Sequence, residues 1–573
     1  GEVVNDERII RSLPTINYIL QKGGKLKIIS HLGRPKENKK DQPEFSLDPV
    51  AKKLSQLLDI PVPLIPDLDN TENPNSGSLI LYENIRFFAG EKENNKSLSK
   101  KLGSLCDIFV MDAFATSHRA HSSTTGVVHY APNSCIGFLV EEELAVLSKL
   151  RASSIKPSLA ILGGAKISTK LELINELSSQ MIKTIVVGTH ASALPKKTLQ
   201  EEPYDFVCQG EGPITIIKLI DHLKDGRVRL EDIPGLWYFD KDKNITSNKP
   251  SKMFENLDED LPGQAWKLLD MAKYKAHNWH TFGKLETRKK YASLQTSLGC
   301  PFKCTFCCIN APFERNTIRF WSPKHIINQI KILIEDYGIF NIKIPDEMFV
   351  LNPKQVSGIC DEIIAAGYGD KLNFWAYARI DTLEDNEMLK KMIKSGFRWL
   401  ALGIESSSKH VRDGVIKGRF DNYDIEKIVK KVRDMGFYVG ANYIFGLPDD
   451  NENSMKETLD LSLRINSEWS NFYSGMAYPG SPLFNEAKKR GWRLPDDENG
   501  PGWLGYSQHA YDALPLPTET LTAEEVLRFR DSAFNTYFTN PSYLGMIRDT
   551  FGEKVLTHLE AMTSHKLARR YSN

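Results

Sequence analysis

The chain has 573 residues, too many for one hydrophobic core, and at 41% hydrophobic and 26% charged residues it reads as several ordinary soluble domains. Lys and Arg number 74 and Asp and Glu 73, so a formal charge of +1 gives no general attraction to nucleic acid or to a membrane surface. No apolar run is long enough to span a bilayer and GEVVNDERII is not a basic-then-apolar leader, so a cytoplasmic protein is expected, with no membrane span and no nucleic acid among its partners.

The first predicted domain covers residues 1–180. IIRSLPTINYILQKGG has helical periodicity and a Gly stop, and KLKIIS and CDIFVMDAF read as buried parallel strands. Residues 36–46 and 68–77 are polar loops. FLVEEELAVLSKL, residues 138–150, is an amphipathic helix, and PSLAILGGAK opens a new strand with a Gly-rich turn. Alternating strands and helices predict an α/β doubly wound parallel sheet.

Five motifs in order, DERIIRSLPTI, SHLGRP, LYENIRF, DAFATSHRAHSST and ILGGAKISTK, resemble the N-terminal domain of phosphoglycerate kinase. The resemblance implies that Arg8, His31, Arg34, Arg86, His118 and Arg119 bind the anionic groups of 3-phosphoglycerate, for which arginine forks are suited. It implies nucleotide-phosphate contacts for Lys166 and Lys170. Two departures count against phosphoryl transfer. The family's opening strand would precede residue 1, and its nucleotide domain does not continue beyond these lysines. Transfer depends on positioning two substrates, so half a cleft predicts no kinase activity.

Residues 181–275 form the second segment. MIKTIVVG is a strand, THASALPKK a loop, YDFVCQGEG a strand and turn, and residues 240–265 a polar linker. The run GTHASALPKKTLQEEPYDFVCQGEG resembles the last part of a cobalamin-binding domain, a partial Rossmann-like fold. The resemblance implies a corrin site at Gly188, Thr189, His190, Ser192, Gly210, Glu211 and Gly212. The match starts midway through that domain, and His190 is not in the usual axial-ligand motif.

Residues 285–500 show regular alternation. YASLQTSLG, IFNIKI, LNFWAYARI, WLALGIES, FYVGANYIFGL and NFYSGMAY are six strand-like runs. Ser322-Pro323 caps a helix with Ile326, Ile330, Leu333 and Tyr337 on one face and Gly338 as its stop, and Asn352-Pro353 to Gly367 repeats the design. Six such units predict parallel strands in a partial (β/α)6 barrel, with functional residues at the carboxyl ends of the strands. Residues 501–573 form a helical C-terminal region, and AEEVLRFRDSAFNTYFTNPSYL is expected to cover the barrel mouth.

Four of the eight cysteines fall in CPFKCTFCC, just after the first barrel strand. Clustering of this kind indicates metal rather than disulfides. Zinc takes four ligands from two separated pairs, and Cys308, adjacent to Cys307, is poorly placed as a fourth. Three thiolates on a cubane leave one iron without a protein ligand. Cys300, Cys304 and Cys307, with Phe306 before the last, resemble the signature of the radical S-adenosylmethionine superfamily.

That resemblance implies a [4Fe-4S] cluster, S-adenosylmethionine on the open iron, a 5′-deoxyadenosyl radical and an electron donor such as flavodoxin or ferredoxin. It implies cofactor contacts for Asp346 and Glu347 after the second strand, Tyr377 and Arg379 on the third, Glu405 on the fourth and Asn442 on the fifth. From residue 262 onward the likeness is to cobalamin-type members, some of which methylate unreactive carbons. The whole chain reads as a truncated kinase domain fused to a radical enzyme acting on a small molecule. The alternatives are a phosphoglycerate kinase and a non-catalytic hybrid. Trp375, Tyr377, Tyr443 and Tyr478 are candidates either for an aromatic pocket or for core packing.

Overall fold

The computed structural model describes residues 3, 6–33, 35, 37, 42–69, 73–117, 119–151, 159–163, 183–276, 282, 290–313, 315–417, 425–564 and 567–570. The chain forms two compact units, Gly1–Ile155 and Lys156–Asn573. The first holds β1 (Leu26–Ile28), β2 (Leu64–Ile65) and β3 (Leu79–Tyr82), in the order β1-β3-β2 and all parallel. A parallel pair, β4 (Ile108–Met111) and β5 (Asn133–Ile136), makes a separate small sheet. The helix Glu7–Gln21 lays Leu13, Ile16 and Leu20 against Leu54 and Leu79, and the expected exit helix runs Phe138–Arg151.

In the second unit, β6 (Leu159–Leu162), β7 (Lys183–Val186), β8 (Phe206–Cys208), β9 (Leu236–Phe239) and β10 (Ile245–Ser247) form one sheet in the order β10-β9-β8-β7-β6. The strand in PSLAILGGAK pairs with β7 in the second unit, and the compact units divide at 155/156. Apolar parallel strands of this kind suit either neighbouring domain by sequence, so only pairing decides where the strand goes. Two local expectations fail. THASALPKK is two short helices, Thr189–Ala193 and one opened by Pro195, whose fixed φ suits a first helical turn. The start of the expected linker is a hairpin, because the Asp240 carboxylate accepts from the Asp242 and Asn244 amides and turns β9 back into β10.

The predicted barrel is present as a six-stranded parallel sheet. Its strands are β11 (Tyr291–Ser293), β14 (Asn341–Lys343), β15 (Asn373–Arg379), β16 (Phe397–Glu405), β17 (Tyr438–Phe445) and β18 (Trp469–Ser474), in that spatial order. The helices form where capping predicts them, as Pro323–Glu335 after Ser322 and Pro353–Ala365 after Asn352. YASLQTSLG is not one strand. It bends after β11, and Ser297–Gly299 (β12) pairs antiparallel with Ile318–Phe320 (β13), outside the barrel.

The C-terminal helices do not close the mouth. Ala523–Phe538 sets Val526 against Gly446 at the carboxyl end of β17 and Phe538 against Trp469 at the start of β18, so it lies along the outside of the sheet. Phe551 then packs on Tyr438, Trp399 and Phe282 near the amino ends of the strands, and so plugs the floor. The helix's apolar residues match the sheet's outer face rather than a polar opening, and this match decides its place.

Candidate functional site

The cysteine loop is held at both ends by the β12–β13 ribbon. Gly299 turns the chain into it at φ 86°, where a Cβ would lie 2.3 Å from the Thr317 carbonyl, so only glycine fits. Asn310 clamps the loop from within, accepting from the Cys300 amide (3.1 Å) and donating to the Cys300 carbonyl (2.8 Å). The Thr305 amide donates to the Val415 carbonyl and its carbonyl accepts from the Leu483 amide, pinning the far side to loops after β16 and β18. Phe306 packs between the Leu483–Phe484 cluster and the Val411–Val415 cluster.

All three thiols are free, with Cys300 buried, Cys304 half-buried and Cys307 exposed. Burial raises the Cys300 thiol above its ordinary value, and the Cys304 and Glu347 charges add to the effect. Among the described residues, no three His, Cys, Asp or Glu side chains converge closely enough to hold a single metal ion. A cubane asks for something different, since each cysteine takes its own iron. Three free thiols on a clamped loop, graded from buried to open, fit that donor set.

The acidic positions divide by role. Asp346, 2% exposed, accepts from the Thr296 amide (2.8 Å), the Thr296 hydroxyl (2.6 Å) and the Ser297 hydroxyl (2.7 Å). Burial still raises its carboxyl to about 6. It ties β12 to the sheet, and its acceptors are occupied by the strand that launches the cysteine loop. Its neighbour Glu347 reaches solvent yet is crowded by protein, which raises it to about 7, with the Asp346 charge adding to the shift. Arg379 is buried, makes a two-pronged bond to Asp381 (2.8 and 3.0 Å) and lies 4.1 Å above the Phe302 ring in the cysteine loop.

Glu405 is buried at φ 65°, a left-handed conformation rare outside glycine, and is ion-paired to buried Lys417. The Lys417 ammonium lies 5.7 Å from the Phe306 ring, so the pair stands beside the cysteine loop. Asn442 donates to the Leu402 carbonyl and accepts from Asn471, which in turn accepts from Trp469, making a polar rung across β16–β18. Tyr377 stands with Trp375 on the face that carries Arg379. Tyr443 instead faces the helices, stacked on Phe472, so it is core. Tyr478, 40% exposed, stacks on Tyr506. Lys417 and Asn310 escaped the sequence reading. Neither belongs to a recognisable spacing, though GVIKG following a strand-end Glu was the available signal.

The corrin-type residues sit beside the same opening. Ala193, at the end of the Thr189 helix, and Cys308 and Ala311 beyond the cysteines all crowd Gly480. A Cβ on Gly188 would meet nothing within 4 Å. Ser192 accepts from the Gly210 amide, and Gly212 caps the helix Pro213–Asp225. Glu211 is paired with Arg319 (2.6 Å) and accepts from the Phe254 amide. His190 lies tilted against Trp503 with ring centres 3.5 Å apart, and burial, then Lys197, lowers its pKa to about 4. Together with Lys197, Glu202, Asp496 and neighbours, these two rings line a cavity of 390 Å³. The segment thus offers backbone and open space, with His190 committed to Trp503.

In the first unit, burial lowers His31 to about 4, and the charges of Arg86, Arg119, Arg8 and His121 add to the effect. Arg86 donates to the Gly33 carbonyl (2.5 Å). Arg8, Arg86 and Arg119 of the expected basic residues thus lie within electrostatic reach of His31, as does His121. Arg34, His118, Lys166 and Lys170 lie outside the described residues.

The second unit is thus a parallel half-barrel with a three-thiol loop at the carboxyl ends of its strands. Residues 294–462 match the family model of the radical SAM superfamily, and residues 1–201 match that of phosphoglycerate kinase. The two matches cover separate stretches, with the kinase match N-terminal to the radical SAM match. It is 47% identical over 196 residues to phosphoglycerate kinase of Coxiella burnetii and 45% identical to that of Francisella tularensis subsp. novicida, covering 34% of this chain and 50% of each relative. The chain spans about half the length of these curated relatives.

By fold it is similar to the cobalamin-dependent S-adenosylmethionine radical enzyme OxsB with aqua-cobalamin bound. The TM-score is 0.54 at 16% identity, over 80% of this chain and 71% of that one. It is also similar to the radical S-adenosylmethionine methyltransferase TsrM from Kitasatospora setae with cobalamin and a [4Fe-4S] cluster bound. There the TM-score is 0.53 at 13% identity, over 76% and 89% of the two chains. Among the described residues, no helix is long and apolar enough to cross a membrane.

Proposed function

We propose that the second unit is a radical S-adenosylmethionine enzyme whose [4Fe-4S] cluster is held by Cys300, Cys304 and Cys307. The observation that carries this reading is the clamped three-thiol loop at the strand ends of a six-stranded parallel sheet. When bound, the cluster supplies the electron that opens the sulfonium of S-adenosylmethionine to a 5′-deoxyadenosyl radical. The chain's own part is binding and orientation. Asp346 fixes the ribbon that carries the loop. Lys417 presents a cation for the methionine carboxylate, held in place by Glu405. Arg379 braces the Phe302 ring of the cysteine loop, and the Phe551 plug keeps water from entering through the floor.

The reaction subtype we favour is cobalamin-dependent methyl transfer. A corrin would be held by backbone contact around Gly188 and Gly210, with His190 packed against Trp503. A flavodoxin- or ferredoxin-like donor supplies electrons, and the expected setting is the cytoplasm. The first unit binds phosphorylated anions but lacks the second substrate's half of a kinase cleft, so phosphoglycerate kinase activity is lost.

Anaerobic reconstitution with iron, sulfide and a reductant is the test. A brown protein that releases 5′-deoxyadenosine supports the reading, and C304A should abolish both properties. A colourless protein that leaves S-adenosylmethionine intact refutes it. ATP formation from 1,3-bisphosphoglycerate would refute the loss of kinase activity.

A further inference from the structure

Among the described residues, Arg379, Lys417 and Lys343 are basic side chains of the half-barrel, and the first two are ion-paired within the protein. Arg379 is bound by Asp381, and Lys417 by Glu405. Lys343, the last residue of β14, lies in register with Trp375 and so shares its face, while Ile342 and Ile344 alternate onto the opposite one. Its ammonium stands 4.5 Å from the ring centre of Trp375 and 5.5 Å from that of Tyr377, and these two rings meet edge-on at 4.6 Å. Among the described residues it makes no ion pair. Burial lowers its pKa and Glu347 partly offsets the effect.

The Tyr377 hydroxyl is in the electrostatic reach of Tyr291 and Tyr473, so side chains from β11, β15 and β18 converge on the same space. Two aromatic faces recover only part of an ammonium's lost hydration, whereas an anion brought by a ligand would complete the site. Resting on the radical-enzyme reading, we propose that the substrate is a planar, unsaturated molecule bearing a carboxylate or phosphate, with the anion on Lys343 and the planar group against Trp375 and Tyr377.

The test compares benzoate, phenylphosphonate and neutral benzamide as probes, titrated calorimetrically into the full reconstituted chain. At least one anion should bind at least tenfold tighter than benzamide, and the stronger one distinguishes carboxylate from phosphate. K343M should erase that preference and K343R should keep it. K343Q serves if K343M fails to give a native near-ultraviolet spectrum. The proposal is overturned if benzamide binds as well as both anions. It is also overturned if K343M or K343Q keeps the preference, or if those changes weaken S-adenosylmethionine instead. Wild-type 5′-deoxyadenosine release reports separately on the radical reading, and its absence leaves the anion comparison intact.

Discussion

Replacing Lys417 by Met leaves the Glu405 carboxylate without its partner in a site where each side chain keeps only 8% of its surface. Removing one member of a buried ion pair costs about 3–5 kcal/mol, whereas apolar or neutral replacement of both can cost little. Glu405 also holds a left-handed backbone at φ 65°, a strain of about 1–3 kcal/mol that the surrounding contacts must maintain. K417M should therefore lower the melting transition of the second unit by roughly 5–10 °C. The double variant E405Q/K417M should recover most of that loss. Both should bind S-adenosylmethionine weakly, because each lacks the cation beside Phe306. Circular dichroism melts with equilibrium dialysis of the cofactor give the two readouts. A K417M protein that melts with wild type, or a double variant whose loss equals the sum of the single ones, would refute the argument from desolvation.

Gly299→Ala forces a Cβ to 2.3 Å from the Thr317 carbonyl, so iron loading should fall sharply while far-ultraviolet helicity is retained; normal iron content would contradict the turn. Phe551→Ala removes the floor plug and should cost about 2 kcal/mol in stability, with cofactor cleavage retained in the folded fraction. In the first unit, His31 has its folded pKa depressed to about 4 from an ordinary 6.5, so the folded state resists protonation and stability falls as pH drops from about 6.5 toward 4. A bound anion opposes that loss, so inorganic phosphate should raise the melting temperature more at pH 6 than at pH 8. Equal shifts at both would argue against the cluster.

Much of this was legible because it is local. Cysteine spacing, Ser-Pro and Asn-Pro caps and alternating apolar runs announce the thiol loop, the helices and all six barrel strands. What escaped depends on pairing. Ser297–Gly299 has the same residue types as a strand continuing from Tyr291, and only its antiparallel partner Ile318–Phe320 removes it from the barrel. Leu159–Leu162 would suit a sheet in either unit, and β7 claims it. Asp346 is legible as a strand-end carboxylate, but the three donors it takes from Thr296 and Ser297 depend on pairing. Lys417 carries no motif of its own, and its importance arises only from burial opposite Glu405.

The most direct measurement is electron paramagnetic resonance of the anaerobically reconstituted and reduced chain, before and after S-adenosylmethionine is added. A reduced cubane signal with about four irons per chain, altered by the cofactor and lost in C300A, C304A and C307A, is the predicted result. Stoichiometric zinc, or a cluster spectrum indifferent to S-adenosylmethionine, would contradict it.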